Sequence, residues 1–207
     1  MRRFLKIAFC ISVVLLFCKK CIYRKITHMT EDDLEWVTNR YIGEVARFTT
    51  VKGDSATCII KKIVIHNSLN PINFSHDSCE EYIAYANIDY VVYQAQDSLT
   101  GSLTIQKVSN GQPVMLSARL GSRYACEQKI DFGSYHTIIG SISDCIWFGK
   151  HNTKLEKNDD KSSAVHFFYW SKKYGLFVYG FKDEPSYLRD WGVKRSIECK
   201  NNRIVTN

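Results

Sequence analysis

The chain has 207 residues, 45% of them hydrophobic and 24% charged, with only three prolines. That balance excludes a disordered or collagen-like chain and leaves enough length for one domain with a substantial core. Residues 1–25 hold seven of the 28 Lys and Arg and no acidic residue, so the formal charge of +7 belongs to this segment and the remainder has 21 basic against 21 acidic side chains. A phosphate-reading protein gathers its cations on the folded domain, and this placement argues against nucleic acid as a partner.

Residues 1–6 are a short basic stretch, and residues 7–18 (IAFCISVVLLFC) are apolar without interruption. As a helix the run spans about 18 Å against the ~30 Å hydrocarbon core, which suits a signal-peptide core better than a full crossing. Leu15-Leu16-Phe17-Cys18 resembles a bacterial lipobox, with Phe17 where a small residue is usual, and this makes Cys18 the candidate for lipid attachment. Cleavage, lipidation and retention as an uncleaved anchor stay open as alternatives. Each puts residues from Thr30 onward outside the cytoplasm or tethered at a membrane, contacted through residues 1–25. The basic residues after the run pull against that orientation. The expected division is 1–29 as signal peptide or membrane anchor with linker, and 30–207 as a single antiparallel β-rich domain.

Thr30 followed by Glu31, Asp32 and Asp33 opens a helix over 30–41: a capping side chain, a partner three residues on, and acidic residues at the positive dipole end. Leu34, Val37 and Tyr41 share its apolar face, and Trp36 beside them belongs to the core. From Glu44 the hydrophobic period changes. Strands over 45–51 and 57–66 flank the turn Lys52-Gly53-Asp54-Ser55. A polar loop over 67–77 leads to the clearest strand, 79–94. There Tyr82, Ala84, Ala86, Ile88, Tyr90 and Val92 form a core face, and Asn87, Asp89 and Gln94 join Ile83, Tyr85, Val91 and Tyr93 in a mixed one.

Further strands over 101–108 and 114–120 flank Ser109-Asn110-Gly111-Gln112, a hairpin signal. Segments 124–130 and 135–148 are strand candidates, and 151–161 is a polar loop. In 164–182 two aromatic runs flank Ser171-Lys172-Lys173-Tyr174-Gly175, which reads as a hairpin with Val165, Phe167 and Tyr169 on one face and His166, Phe168 and Trp170 on the other. Rings on both faces imply cover on both sides. Residues 183–191 read as a helical turn and 195–205 as a last strand. About nine strands with hairpin-length connections select an antiparallel meander. The expected fold is mainly β (α+β): an N-terminal helix plus a strongly curved antiparallel sheet or open β-barrel, with a closed barrel as the near alternative.

Chemical signals are sparse. Outside the leader the cysteines are Cys58, Cys79, Cys126, Cys145 and Cys199, with no C-x-x-C pair and no zinc-finger spacing, so no metal and no cofactor is expected. The densest polar cluster, His76, Asp77, Ser78, Cys79, Glu80 and Glu81, could serve an exported hydrolase with a cysteine or carboxylate site, although no hydrolase signature accompanies it. The acidic pairs at 32–33, 80–81 and 159–160 read as solvated charge. Tyr85, Tyr93, Tyr135 and Tyr179 could line an apolar cleft in the curved sheet, or simply form the core.

The leader with Cys18, the acidic helix, Ile142-Ser143-Asp144-Cys145-Ile146, and above all Tyr169-Trp170-Ser171-Lys172-Lys173-Tyr174-Gly175-Leu176 resemble uncharacterised envelope proteins and lipoproteins of the Bacteroidetes group. The resemblance implies an exported, membrane-tethered, mostly β domain and brings no catalytic residues. The expected function is therefore that of a non-enzymatic cell-envelope protein, membrane-anchored or periplasmic, binding an apolar ligand or another envelope component. The alternative is the hydrolase with a site near His76 to Glu81. An empty apolar cavity inside the sheet would favour a carrier; an interior filled by side chains would not.

Overall fold

The computed structural model describes residue 12 and residues 25–69, 81–95, 97–127, 133–137, 140–149, 153–155 and 165–192. Fourteen strands and one helix follow in chain order: β1 (Lys25–Ile26), α1 (Glu31–Thr38), β2 (Val45–Thr49), β3 (Ser55–His66), β4 (Glu81–Tyr82), β5 (Tyr85–Tyr93), β6 (Ser98–Gln106), β7 (Met115–Leu120), β8 (Arg123–Glu127), β9 (Gly133–Thr137), β10 (Gly140–Phe148), β11 (Thr153–Leu155), β12 (Val165–Ser171), β13 (Gly175–Phe181) and β14 (Tyr187–Arg189). Twelve of the strands make one antiparallel sheet in the order β11-β8-β7-β6-β5-β3-β2-β14-β13-β12-β10-β9, while β1 and β4 pair in parallel beside it.

The sheet curls until its distant parts face each other. Tyr90 on β5 and Trp170 on β12 are separated by four strands in the sheet order, yet their ring centroids lie 5.2 Å apart. One core cluster joins β2, β3, β5, β6 and β7 to β10, β12 and β13. No ladder among the described residues closes the two outer strands onto each other, so the architecture is the open, strongly curved antiparallel sheet expected, with more strands than the nine expected. The interior is occupied by side chains. Trp36, Trp170, Tyr90, Tyr179, Phe48, Phe148 and Phe168 are all fully buried there.

Local chemistry explains the elements that matter for the mouth of this barrel. The Thr30 side chain accepts the Asp33 amide and the Asp33 carboxylate accepts the Thr30 amide, a complete capping box at the start of α1. Trp36 and Val37 point into the core. The helix stops at Thr38, earlier than expected, so Tyr41 lies beyond its end and is 67% exposed instead of sharing the apolar face. The strand expected over 79–94 is interrupted at 83–84 between β4 and β5, yet Tyr82 on β4, Ala84 between them and Ala86, Ile88, Tyr90 and Val92 on β5 are all buried, as the period-2 pattern predicts.

Three expectations are corrected. Residues 187–189 are a strand, β14, wedged between β13 and β2, and not part of a helical turn; Tyr187 stacks on Tyr179 at 4.8 Å and ties it there. Thr153–Leu155 within the expected polar loop pair with β8 as β11. In the aromatic hairpin, register shifts between Val165 and Phe167 and between Tyr169 and Trp170 break the simple alternation. Val165 therefore joins Phe168 and Trp170 in the barrel core, while Phe167 and Tyr169 face an outer cluster with Phe177, Val178, Ile142 and Cys145. The hairpin is covered on both faces. Residues 1–11 and 13–24 of the leader, the segment 70–80 and the expected strand at 195–205 lie outside the described residues.

Candidate functional site

Among the described residues, several charged side chains gather at the end of the curved sheet beneath α1. The Lys107 ammonium, at the end of β6, lies 2.8 Å from the Asp33 carboxylate, with both side chains nearly buried. The Lys172 ammonium contacts Asp32 at 2.9 Å and Glu35 at 3.3 Å and sits over the Trp36 ring. These contacts hold α1 on the barrel from two sides.

Below the C-terminus of α1 is a small recess of about 10 Å³, room for about one water molecule, lined by Arg40, Glu44, Ala46, Cys58, Ile60, Trp170, Tyr174, Gly175, Leu176 and Arg189. Arg40 Nη1 donates to Glu44 Oε1 at 2.6 Å, a pair four residues apart with side chains 7% and 11% exposed. Arg189, carried in by β14, approaches the same oxygen at 3.7 Å. Each guanidinium is also anchored to the β12–β13 turn: Arg40 donates to the Lys173 carbonyl and Arg189 to the Tyr174 carbonyl. The Arg189 guanidinium lies over Trp191, 5.4 Å from the ring centroid. Burial lowers the pKa of both arginines, and Glu44 opposes that shift in each. Guanidinium groups are intrinsically so basic that both stay charged at neutral pH.

Three polar atoms at this cleft have no partner among the described residues: Arg40 Nε, Glu44 Oε2 and the indole Nε1 of Trp170. The Cys58 thiol is buried and free, and burial pushes its pKa up to about 12. It is a packing group, not an activated nucleophile.

The four tyrosines expected at an apolar cleft do not share a wall. Tyr85 is 39% exposed on the outer face and stacks on His66 at 5.2 Å. Tyr93, 42% exposed, has the Lys61 ammonium over its ring. Tyr135 packs in the outer cluster, 4.9 Å from Tyr169. Tyr179 is fully inside, edge-on to Phe48. Cys18 and residues 76–80 lie outside the described residues; Glu81 opens β4 and pairs with Lys25 at 3.7 Å. Sequence reasoning missed Arg40, Glu44 and Arg189. Only the four-residue spacing of the first two could have marked them, and Arg189 reaches them through a strand that was itself missed.

No protein-family model, curated protein or solved structure matches the chain. The chemistry of the mouth therefore rests on its own residues.

Proposed function

We propose that the chain is a membrane-tethered or exported envelope protein whose β domain is a non-catalytic binding module, engaging another envelope component at the helix-covered mouth. One observation carries the choice of mouth over interior. The fully buried rings of Trp36, Tyr90, Phe148, Phe168 and Trp170 occupy the space an apolar ligand would need, whereas the mouth gathers the charged side chains of Arg40, Glu44, Lys107, Lys172 and Arg189. The tether is supported by the apolar run at 7–18 and its basic flanks.

The test is site-specific photocrosslinking in cells expressing the full chain, with the probe at Lys173 on the rim or at Tyr93 on the far outer face. A discrete adduct from the rim alone, in the membrane or periplasmic fraction, is the expected result. Recovery of the intact protein free in the cytoplasm, or equal labelling from both positions, overturns the reading.

A further inference from the structure

We propose that the rim of the domain around β1 rests on a lipid bilayer, with Ile65, Leu69, Tyr85 and Val108 seated where headgroups meet acyl chains. The inference rests on the tether in the reading above and adds the surface that the tether brings down.

Chain length sets the orientation. Six residues, 19–24, separate the apolar run ending at Cys18 from Lys25. Lys25 is already committed to the fold. Lys25 and Ile26 of β1 pair with β4, and the Thr27 amide donates to the Tyr82 carbonyl at 2.9 Å. The Thr27 hydroxyl oxygen accepts the Ala84 amide, also at 2.9 Å. The seven Cα steps from Cys18 to Lys25 reach at most about 25 Å, whereas a domain of this length is about 40 Å across. With residues 7–18 in a bilayer, β1 cannot lie on the side of the domain that faces away from it.

The side chains around β1 suit that position. Leu69 is 76% exposed, Ile65 46%, Val108 44% and Tyr85 39%. Contacts of their chain neighbours gather them at the β1–β4 pair. His66, next to Ile65, stacks on Tyr82 and on Tyr85. The Ser68 amide, next to Leu69, donates to the Tyr82 hydroxyl. The Lys107 amide, next to Val108, donates to the Ala84 carbonyl, and the Asn110 side chain donates to the Ile26 carbonyl. The rim thus offers aliphatic side chains with a tyrosine among them, the mixture that favours a membrane–water boundary. Lys19, Lys20, Arg24 and Lys25 adjoin it in sequence and attract anionic headgroups.

The same strand supplies a reference point. Val51, 80% exposed on the β2–β3 turn, lies at the Ser55 end of β3, and Ile65 lies at the other. The twelve residues of β3 extend for about 35 Å. A domain resting on the β1 rim therefore holds Val51 well clear of the lipid.

The experiment places the full chain in vesicles of phosphatidylcholine and phosphatidylglycerol that carry a nitroxide near the headgroup. A fluorescent amino acid replaces Leu69, Val108 or Val51, one at a time, and flotation shows whether the chain travels with the vesicles. The expected result is quenching at Leu69 and at Val108 at least about twofold stronger than at Val51. With the probe at Val108, the double change Leu69→Asp and Tyr85→Asp should reduce quenching by at least about twofold. Equal quenching at the three positions, none at Leu69 and Val108, or unchanged quenching in the double variant overturns the proposal. A chain that does not float with the vesicles takes the tether and this proposal down together. Flotation without the quenching pattern strikes the lipid-seated rim alone and leaves the tether standing.

Discussion

The hydroxyl of Ser171 donates to the carboxylate of Asp144, with Oγ 3.0 Å from Oδ1 and 3.1 Å from Oδ2. The same hydroxyl oxygen accepts the amides of Lys173 and Tyr174, and Asp144 Oδ2 accepts the Lys173 amide at 2.9 Å. The β12–β13 turn is thus built around one fully buried serine and a carboxylate from β10. Ser171→Ala removes the acceptor of the Tyr174 amide, one of the two acceptors of the Lys173 amide and one donor to Asp144, for a loss of about 1–3 kcal/mol. Asp144→Asn, which keeps an acceptor, is the milder change. Urea unfolding of both single variants and the double variant should give a coupling energy of at least about 0.5 kcal/mol; strict additivity would mean that the two groups do not act as a unit.

Tyr90 covers the bare backbone of Gly101, its register partner on β6, so a Cβ at Gly101 would overlap the phenol ring. The Tyr90 hydroxyl donates to the Arg119 carbonyl on β7 at 2.9 Å. Gly101→Ala forces this ring into the packed interior and is expected to cost about 1–3 kcal/mol. Tyr90→Phe keeps the ring and loses only the hydrogen bond, about 1 kcal/mol. Denaturant midpoints order the two, and a Gly101→Ala protein as stable as the parent would mean that the ring has room to move.

What could be read from sequence follows how local the physics is. The Thr30–Asp33 capping box lies within four residues and was legible, as was the buried face of β5, which needs only the two-residue alternation of a strand. The faces of β12 were not, because the register shifts that turn Val165 inward arise from pairing with β13. The three-residue β14 follows Asp183, with a φ of +63°, and takes its strand form from its neighbours β13 and β2. The cleft was least visible of all. Arg40 and Glu44 are near in sequence, but Arg189 meets them only because β14 pairs with β2.

The contacts that hold α1 titrate at opposite ends of the pH scale. Burial raises the pKa of Asp33, but the hydrogen bond from Lys107 and the bonds from Thr30 outweigh it, so the folded value lies below the ordinary 3.8. This contribution is complete above 3.8 and is lost as pH falls through the folded value. Burial lowers the pKa of Lys172, but Asp32 and Glu35 outweigh it, so the folded value lies above 10.5. That contribution is complete below 10.5 and is lost as pH rises through the folded value. Fluorescence of the buried Trp36 should report a helix docked most firmly between these limits. Asp33→Asn should flatten the acid limb, and Lys172→Met the alkaline limb. Thr30→Ala should lower stability by about 1 kcal/mol at neutral pH through the cap.

Cys58 shares the cleft wall with Arg40 and Arg189, and two arginines would ordinarily favour a thiolate. Burial wins instead. It raises the thiol pKa to about 12, against the lowering effect of Arg189. At pH 8 a thiol of that pKa is ionised to about one part in ten thousand, against roughly a quarter for a free cysteine, so alkylation of the native protein should be slower by about three orders of magnitude. Cys145, buried and raised to about 11 mainly by burial and by Asp144, should follow it. Iodoacetamide labelling read residue by residue by peptide mass spectrometry checks this in the presence of the other cysteines. Both sites should label fully in denaturant. Fast native labelling of Cys58 would mean that the thiolate is accessible and stabilised, and the cleft would then be a reactive site and not a passive recess.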